Sequence, residues 1–412
     1  MLTPFEIYDG YAQHVENLKY LIFGGHFARL ATYLEEYLAW FLVPAIFLIL
    51  LSYILRYFVF EAMLSVFFVS DSHGSARWAT FSELKKAGFV RTKDELGKGV
   101  ILGAVWHWFR RYYIENDIIH TLIIAPTRAG KGIGTILSTV LTYAGSLLVN
   151  DPKGELYCMA RRERANRGDH VYLVDPFGVV KHYFKKKKTR NMTEEQATSC
   201  KFNPMANIFT YKSDCYSRAQ DLVEAFCVGS NKDDYFEKQA KNYIITAILY
   251  LCECRDKNIK CEFPATLPGV RDFLAASTEK LMEHVEKMLE SDIFNVRNNG
   301  QDMKKVYADG EGQKVWGSIM SSITSFIAML DDPNLREFFS DHTVDTHMLR
   351  YKPSSIFYVS PTTDTKQGIA IARLLFADAL LWAQKEHPET ENMEQLEQNA
   401  LFIMDEFTLL SG

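Results

Sequence analysis

The sequence predicts an α/β fold with a mainly parallel sheet, an all-α domain inserted into it and an N-terminal transmembrane helix. Short apolar runs that alternate with helical patterns flank a long stretch of purely helical periodicity. The chain has 412 residues, too many for one compact core. A dense apolar block near the N-terminus precedes sequence of ordinary mixed composition.

The apolar block covers residues 37–69, and its first 19 residues, 37–55, carry no charge. That length is enough to span a hydrocarbon core about 30 Å thick. The block begins too late, and lacks the small-residue cleavage site, for a secretory signal peptide. One alternative is that residues 37–55 form a buried core helix instead of a span. Another is that residues 18–34 form a first span, so that the chain crosses the membrane twice. Basic residues that follow the span predict a cytoplasmic C-terminal side; they are Arg56, Arg77, Lys85, Lys86, Arg91 and Lys93.

The net charge excludes one simple class of protein, and the cysteine pattern makes a zinc protein the less favoured of two alternatives. The formal net charge of −5 excludes a uniformly basic protein, so a polyanion would have to meet a local basic lining. The basic run 185–188 is interpreted as a solvated loop, with nucleic-acid contact as the alternative. Cys252, Cys254 and Cys261 lack the second pair or the histidines of a zinc site, which favours reduced core thiols.

A phosphate-binding loop is predicted at residues 125–132, which read APTRAGKG. The apolar run 118–124 before it predicts a buried strand, and a helical pattern follows through residue 141. Strand, small-residue loop, Gly-Lys and helix are the context that a P-loop requires. Ala125 stands where the motif has its first glycine, and Gly132 stands where it has Ser or Thr.

The loop predicts an ATP site for a physical reason. Backbone N–H groups at the start of a helix can surround a phosphate, helped by the positive end of the helix dipole. Lys131 supplies a point charge to the β- and γ-phosphates, and Gly130 permits close backbone approach. The predicted nucleotide-binding residues are Thr127, Arg128, Ala129, Gly130, Lys131, Gly132 and Ile133.

A second half of the site is predicted near the end of the chain. The apolar run 401–404 predicts a short buried strand that ends at Asp405 and Glu406. Asp405 is the predicted Mg²⁺ ligand, and Glu406 is predicted to orient and deprotonate the attacking water. Lys131 and Glu406 are therefore the predicted catalytic residues, with ATP and Mg²⁺ as cofactors.

The sequence between these motifs predicts four domain segments. Further strands are predicted at 146–150, 171–174 and 354–359, and helices at 235–252, 272–289, 316–330 and 368–384. The expected boundaries are a membrane anchor at 1–70, a first nucleotide-domain part at 71–212, an all-α domain at 213–345 and a second nucleotide-domain part at 346–412.

Several motifs together resemble the TraG/VirD-type coupling proteins of type IV secretion and conjugation systems. The similarity extends from about residue 71 to the end. Five motifs occur in the family's order: HGSARW at 73–78, APTRAGKGIG at 125–134, DPKGE at 151–155, VDPFG at 174–178 and FNPM at 202–205. LFIMDEFTL at 401–409 resembles the family's acidic strand, with Thr408 in place of a usual proline.

The resemblance implies a RecA-like P-loop ATPase that assembles into a homo-hexamer at the bacterial inner membrane. It implies channel components as partners, and relaxase-bound single-stranded DNA or effector proteins as cargo. It further implies a cationic finger from a neighbouring subunit, and a sheet that continues beyond the acidic strand, so we expect a C-terminally truncated chain. An FtsK-like DNA translocase and an ATP-gated receptor without motor activity are the alternatives.

Overall fold

The computed structural model describes residues 13, 15–20, 22–24, 29, 38, 44–57, 77–117, 120–126, 129–187, 192–210, 212–227, 234–309, 312–360, 365–384 and 399–405. The chain divides into two compact units, Met1–Ala79 and Thr80–Gly412. In the first unit, residues 15–20 and 44–57 are helical. Within the described ranges we find no helix that combines the length and the apolar character of a membrane span. The predicted span, 37–55, lies partly outside those ranges.

The second unit begins with a small antiparallel sheet that the sequence analysis did not predict. Its strands, in the order β1-β3-β2, are β1 (Val90–Arg91), β2 (Val100–His107) and β3 (Arg110–Asn116). Helix α1 (Phe81–Lys86) precedes the sheet and starts with a capping box between Thr80 and Glu83.

The second sheet is fully parallel, as the sequence predicts. Its strand order is β5-β6-β4-β7, and every neighbouring pair is parallel. The strands are β4 (Ser146–Asn150), β5 (His170–Val174), β6 (Ser354–Tyr358) and β7 (Ala400–Met404). All four predicted strands between 146 and 404 are confirmed to within one residue at each end.

The predicted strand 118–124 is wrong in the part that the structure describes. Residues 120–126 form no regular structure, and Leu122 and Ile124 are 80% and 88% exposed. An apolar β-branched run becomes a buried strand only when a neighbouring strand offers its hydrogen-bonding edge. No described strand pairs with this run.

Helices cover both faces of the parallel sheet and fill the sequence between β5 and β6. A π-helix, Gly132–Leu137, runs into α2 (Ser138–Thr142). The further helices are α3 (Glu155–Asn166), α4 (Val179–Lys187), α5 (Cys215–Phe226), α6 (Tyr235–Asp256), α7 (Leu267–Leu274), α8 (Thr278–Met288), α9 (Phe294–Ala308), α10 (Gly312–Ile327), α11 (Pro333–Phe338), α12 (Met348–Tyr351) and α13 (Thr365–Gln384). Short 3₁₀ turns lie at Lys93–Glu95, Glu195–Ala197, Lys212–Asp214 and Ala328–Asp331.

One helix prediction and one loop prediction need correction. The expected helix 272–289 is two helices, α7 and α8, because the Ser277 side chain accepts a hydrogen bond from the Lys280 N–H and caps a new start. Residues 185–187 of the basic run belong to α4 rather than to a loop. Val180 and Phe184, one turn apart, pack into the core and hold that helix.

The parallel sheet separates two apolar cores. Leu147 and Val149 of β4 pack on the side of α2 and α3. Leu148 between them faces the larger core, formed with α13 and the helices between β5 and β6. This alternation follows from the two-residue repeat of a strand, and burial on both faces explains why β4 is apolar almost throughout.

A fully buried arginine joins these elements on the α3 side. Arg164 of α3 has 0% exposure, and its Nη2 lies 2.5 Å from the Asp169 carboxylate. Its Nε donates to the Ser355 hydroxyl of β6 at 2.9 Å, and its other amino groups donate to the carbonyls of Tyr143 and Gly145. One side chain thus fixes α3, β6 and the turn that leads from α2 into β4.

Arg164→Met should lower the free energy of unfolding by about 3–5 kcal/mol, because it leaves the Asp169 carboxylate buried without its cation. The exposed Arg162→Met on the same helix should change it by less than about 0.5 kcal/mol. Urea denaturation of the full chain in detergent, followed by circular dichroism, measures both. Equal stability of the two variants would contradict this role for Arg164.

Candidate active site

The carboxyl ends of the four parallel strands are level at one edge of the sheet. Asn150 of β4 lies opposite both Tyr358 of β6 and Met404 of β7. Val174 of β5 lies opposite Tyr358 as well. The residues that follow these strands therefore come together, at the edge where parallel α/β sheets bind ligands.

Two acidic residues at this edge accept hydrogen bonds from backbone N–H groups. Asp151 follows β4, and its Oδ2 accepts a hydrogen bond from the Tyr157 N–H at 2.9 Å. Asp175 follows β5, and its two oxygens accept from the N–H groups of Val179 and Val180 at 2.9 and 2.8 Å. Both carboxylates are buried. They therefore satisfy the amides that begin α3 and α4 and are unsuited to bind a metal ion in solvent.

The same turn chemistry appears twice, in the motifs DPKGE and VDPFG. In each, the glycine N–H donates to the aspartate carbonyl three residues earlier, Gly154 to Asp151 at 3.0 Å and Gly178 to Asp175 at 3.2 Å. Both glycines have positive φ, +68° and +70°. A Cβ on Gly154 would also lie 2.7 Å from Val180 Cγ2. These motifs set the geometry of the edge.

The third acidic residue at the edge, Asp405, faces the predicted phosphate loop. Its Oδ1 lies 3.5 Å from Lys131 Nζ. The Lys131 and Asp405 side chains are 36% and 21% exposed, so the pair is open to solvent on one side. The two halves of the predicted site, 274 positions apart in the sequence, are thus in contact.

Sequence reasoning missed Asn150, the last residue of β4. Its Nδ2 donates to the Asp405 carbonyl at 2.8 Å, which fixes the backbone where the acidic residue leaves β7. The side chain is 2% exposed, and its Oδ1 accepts no hydrogen bond from the described residues. The signal in the sequence was a single polar residue at the end of the apolar run SLLVN.

The structure describes residues 125–126 of the predicted phosphate loop and then the loop from Ala129 onward. Gly130 has φ of +85°, a conformation that favours glycine, and a Cβ there would meet no atom of the described residues within 4 Å. The Gly134 N–H donates to the Gly130 carbonyl at 2.7 Å. The N–H groups of Lys131, Gly132 and Ile133 therefore precede the first bonded turn, where helix amides lack intrahelical acceptors. Thr127 and Arg128 lie outside the described residues, as does Glu406.

The described residues contain no group of three or more His, Cys, Asp or Glu side chains arranged to hold a metal ion. The donor set at the edge still fits Mg²⁺ bound through phosphates. Mg²⁺ in such sites takes one or two carboxylates together with substrate oxygens and water. Asp405 offers a carboxylate, and the buried Asn150 Oδ1 adds an oxygen at the same edge.

The buried turn aspartate should make stability depend on pH. Burial raises the pKa of Asp151 to about 6, despite the hydrogen bonds from backbone amides that lower it. Because this pKa is higher in the folded chain than in the unfolded chain, the folded chain holds the proton to higher pH. The contribution of Asp151 to stability is therefore present below about pH 4 and lost as pH rises through about 6.

Asp151→Asn should consequently gain stability relative to the natural chain between about pH 4 and pH 7, by up to about 3 kcal/mol. Asparagine keeps an oxygen acceptor for the Tyr157 N–H and carries no charge. Asp256→Asn, at the exposed end of α6, should leave the pH dependence unchanged. Thermal melting of the three proteins across this range measures the effect, and a constant difference between Asp151→Asn and the natural chain would refute it.

Comparison with known proteins identifies the family of the chain. A sequence model of the family described as "Type IV secretory system Conjugative DNA transfer" matches residues 77–411. Protein VirD4 of Agrobacterium fabrum is 25% identical over 348 residues, which cover 82% of this chain and 46% of that protein. Protein VirD4 of Rhizobium radiobacter is 27% identical over 350 residues, 81% of this chain and 44% of that protein.

The conjugal transfer protein TraG of Escherichia coli is 25% identical over 365 residues, 82% of this chain and 53% of that protein. The chain thus spans about half the length of the curated relatives that it matches. The matched range begins just before α1 and includes both Lys131 and Asp405. The chain belongs to the type IV secretory system conjugative DNA transfer family and is similar to VirD4 and TraG proteins.

Proposed function

We propose that this chain is the ATPase part of a coupling protein that uses ATP hydrolysis to move its cargo into a type IV secretion channel. The observation that carries the proposal is the contact between Lys131 and Asp405 at the carboxyl edge of the parallel sheet. A lysine at the start of a helix beside an acidic residue at a strand end is the residue pair that phosphoryl-transfer sites of P-loop proteins use.

In this proposal Lys131 leaves Asp405 and binds the β- and γ-phosphates of ATP, together with the backbone N–H groups of residues 127–133. Asp405 would hold Mg²⁺, which would neutralise charge on the phosphates. Asn150 keeps the Asp405 backbone in position through its 2.8 Å hydrogen bond. Glu406, the next residue, orients the attacking water and accepts its proton.

The proposed cargo and assembly are those that the family resemblance implies. We propose a homo-hexamer at the bacterial inner membrane, held there by a span near residues 37–55. Relaxase-bound single-stranded DNA or effector proteins are the proposed cargo. The description of the matching family, conjugative DNA transfer, and the name of the relative conjugal transfer protein TraG support a role in conjugation rather than in chromosome transport by an FtsK-like translocase.

Lys131→Ala should reduce ATP turnover by about 10²- to 10³-fold, because it removes a charge that stabilises the transferring phosphoryl group. It should also weaken nucleotide binding. Glu406→Gln should reduce turnover by about 10²- to 10⁴-fold while nucleotide binding persists, since only proton transfer is lost. Lys85→Ala, at an exposed lysine of α1, is the matched control and should retain full turnover.

Phosphate release and fluorescent-nucleotide binding, measured on the full chain in detergent or nanodiscs, test these variants. Turnover by Lys131→Ala equal to that of the Lys85→Ala control would contradict the proposed site. Nucleotide binding without any turnover in the natural chain, with and without single-stranded DNA, would instead favour the ATP-gated receptor.

A further inference from the structure

The hairpin between β2 and β3 presents three aromatic side chains to solvent. Trp108 and Phe109 form the turn and are 83% and 94% exposed. Trp106, two residues before the turn, is 70% exposed. We call these three residues the aromatic apex. Exposed aromatic clusters of this kind usually mark a binding surface.

The charge of the hairpin differs from that of the chain. Arg110 and Arg111 directly follow the apex and are exposed. Residues 98–114 contain no aspartate or glutamate, although the whole chain carries a net charge of −5. Glu115, the first acidic residue after this segment, is 1% exposed and already paired with the backbone. The hairpin is therefore complementary to an anionic partner.

The hairpin is held firmly at its base. The Glu115 carboxylate accepts hydrogen bonds from the N–H groups of Gly97, Lys98 and Gly99 at 2.8–3.0 Å. The Ile101 N–H donates to Thr139 Oγ1 of α2 at 2.9 Å, which joins the hairpin to the helix that follows Lys131. A fixed base leaves the apex projecting.

One face of the hairpin packs against α1, and the other face carries exposed residues of β2. His107 stacks on Phe81 of α1 with ring centroids 3.9 Å apart. On the opposite face Trp106 lies across from Arg111 in the register. The Arg111 guanidinium lies 5.3 Å from the Tyr113 ring centroid. The free face thus continues the aromatic and cationic character of the apex.

We propose that this hairpin binds the headgroup region of an anionic lipid bilayer, with Trp108 and Phe109 at the acyl boundary. Tryptophan rings favour this boundary, and arginine binds lipid phosphates through two parallel hydrogen bonds. A strand rises about 3.3 Å per residue, so Arg110 and Arg111 lie about 3–7 Å behind the apex, within the thickness of the interface.

The geometry favours a bilayer over single-stranded nucleic acid. Proteins that bind single strands carry their stacking aromatics along a basic groove. Here Trp108 and Phe109 lie at an exposed two-residue turn, and Arg110 and Arg111 follow them at the start of β3. Because the hairpin is attached to α2, lipid contact would fix the carboxyl edge of the parallel sheet, where the nucleotide site is proposed, relative to the bilayer.

The test uses the full chain in nanodiscs of phosphatidylcholine, with or without about 30% phosphatidylglycerol, and a lipid that carries a shallow spin-label quencher. The quenching that comes from Trp106 and Trp108 is the difference between the quenching of the natural chain and that of the double variant Trp106→Phe/Trp108→Phe. We expect it to be roughly threefold greater with the anionic lipid, and to weaken in about 0.5 M salt. Trp316→Phe, at a buried tryptophan of α10, is the matched control and should leave the quenching unchanged.

Arg110→Ser/Arg111→Ser should remove most of the dependence on anionic lipid, whereas Arg162→Ser on α3 should not. The proposal is overturned if the natural chain and Trp106→Phe/Trp108→Phe are quenched equally. It is also overturned if a single-stranded oligonucleotide, but not anionic lipid, changes the apex emission, or if apex residues cross-link between copies whatever the lipid. None of these readouts depends on ATP turnover, so the outcome is independent of the proposed ATPase.

Discussion

The parallel pairing of β4 with β7 is the interaction on which the candidate site depends. It brings Asn150 and Met404 opposite each other although 254 positions separate them in the sequence. The Asn150 amide then fixes the Asp405 carbonyl, and the Asp405 carboxylate meets Lys131. Arg164 supports the other side of this arrangement, because it holds the turn from α2 into β4 against β6. Without this register, the loop and the acidic residue would be unrelated segments.

Local patterns predict those elements whose environment is uniform along their length. The strands β4 and β6 are buried at every residue, and their apolar runs give their positions almost to the residue. The run 118–124 has the same character, yet its described part forms no strand, because pairing depends on a neighbour that the run itself does not encode. The antiparallel sheet was missed for the opposite reason: its strands mix exposed aromatic, charged and buried residues.

For the site, the sequence predicts roles for Lys131 and Asp405 but not for the other acidic residues at the edge. Asp151, Asp175 and Asp405 all follow strands, and the sequence predicts a ligand role only for Asp405. The structure shows that Asp151 and Asp175 cap α3 and α4, whereas Asp405 faces Lys131. Asp151 and Asp175 differ from Asp405 because they accept hydrogen bonds from backbone N–H groups at the start of α3 and α4. The turns that place those N–H groups depend on the positive φ of Gly154 and Gly178. Asn150 was missed because one amide at a strand end carries no motif.

The central claim is that Lys131 and Asp405 form one nucleotide site. A structure of the full chain bound to a non-hydrolysable ATP analogue and Mg²⁺ tests it most directly. We predict that Lys131 Nζ leaves its position 3.5 Å from Asp405 Oδ1 and contacts the terminal phosphates, with the metal ion beside Asp405. A nucleotide bound elsewhere, with the Lys131–Asp405 pair intact, would contradict the account.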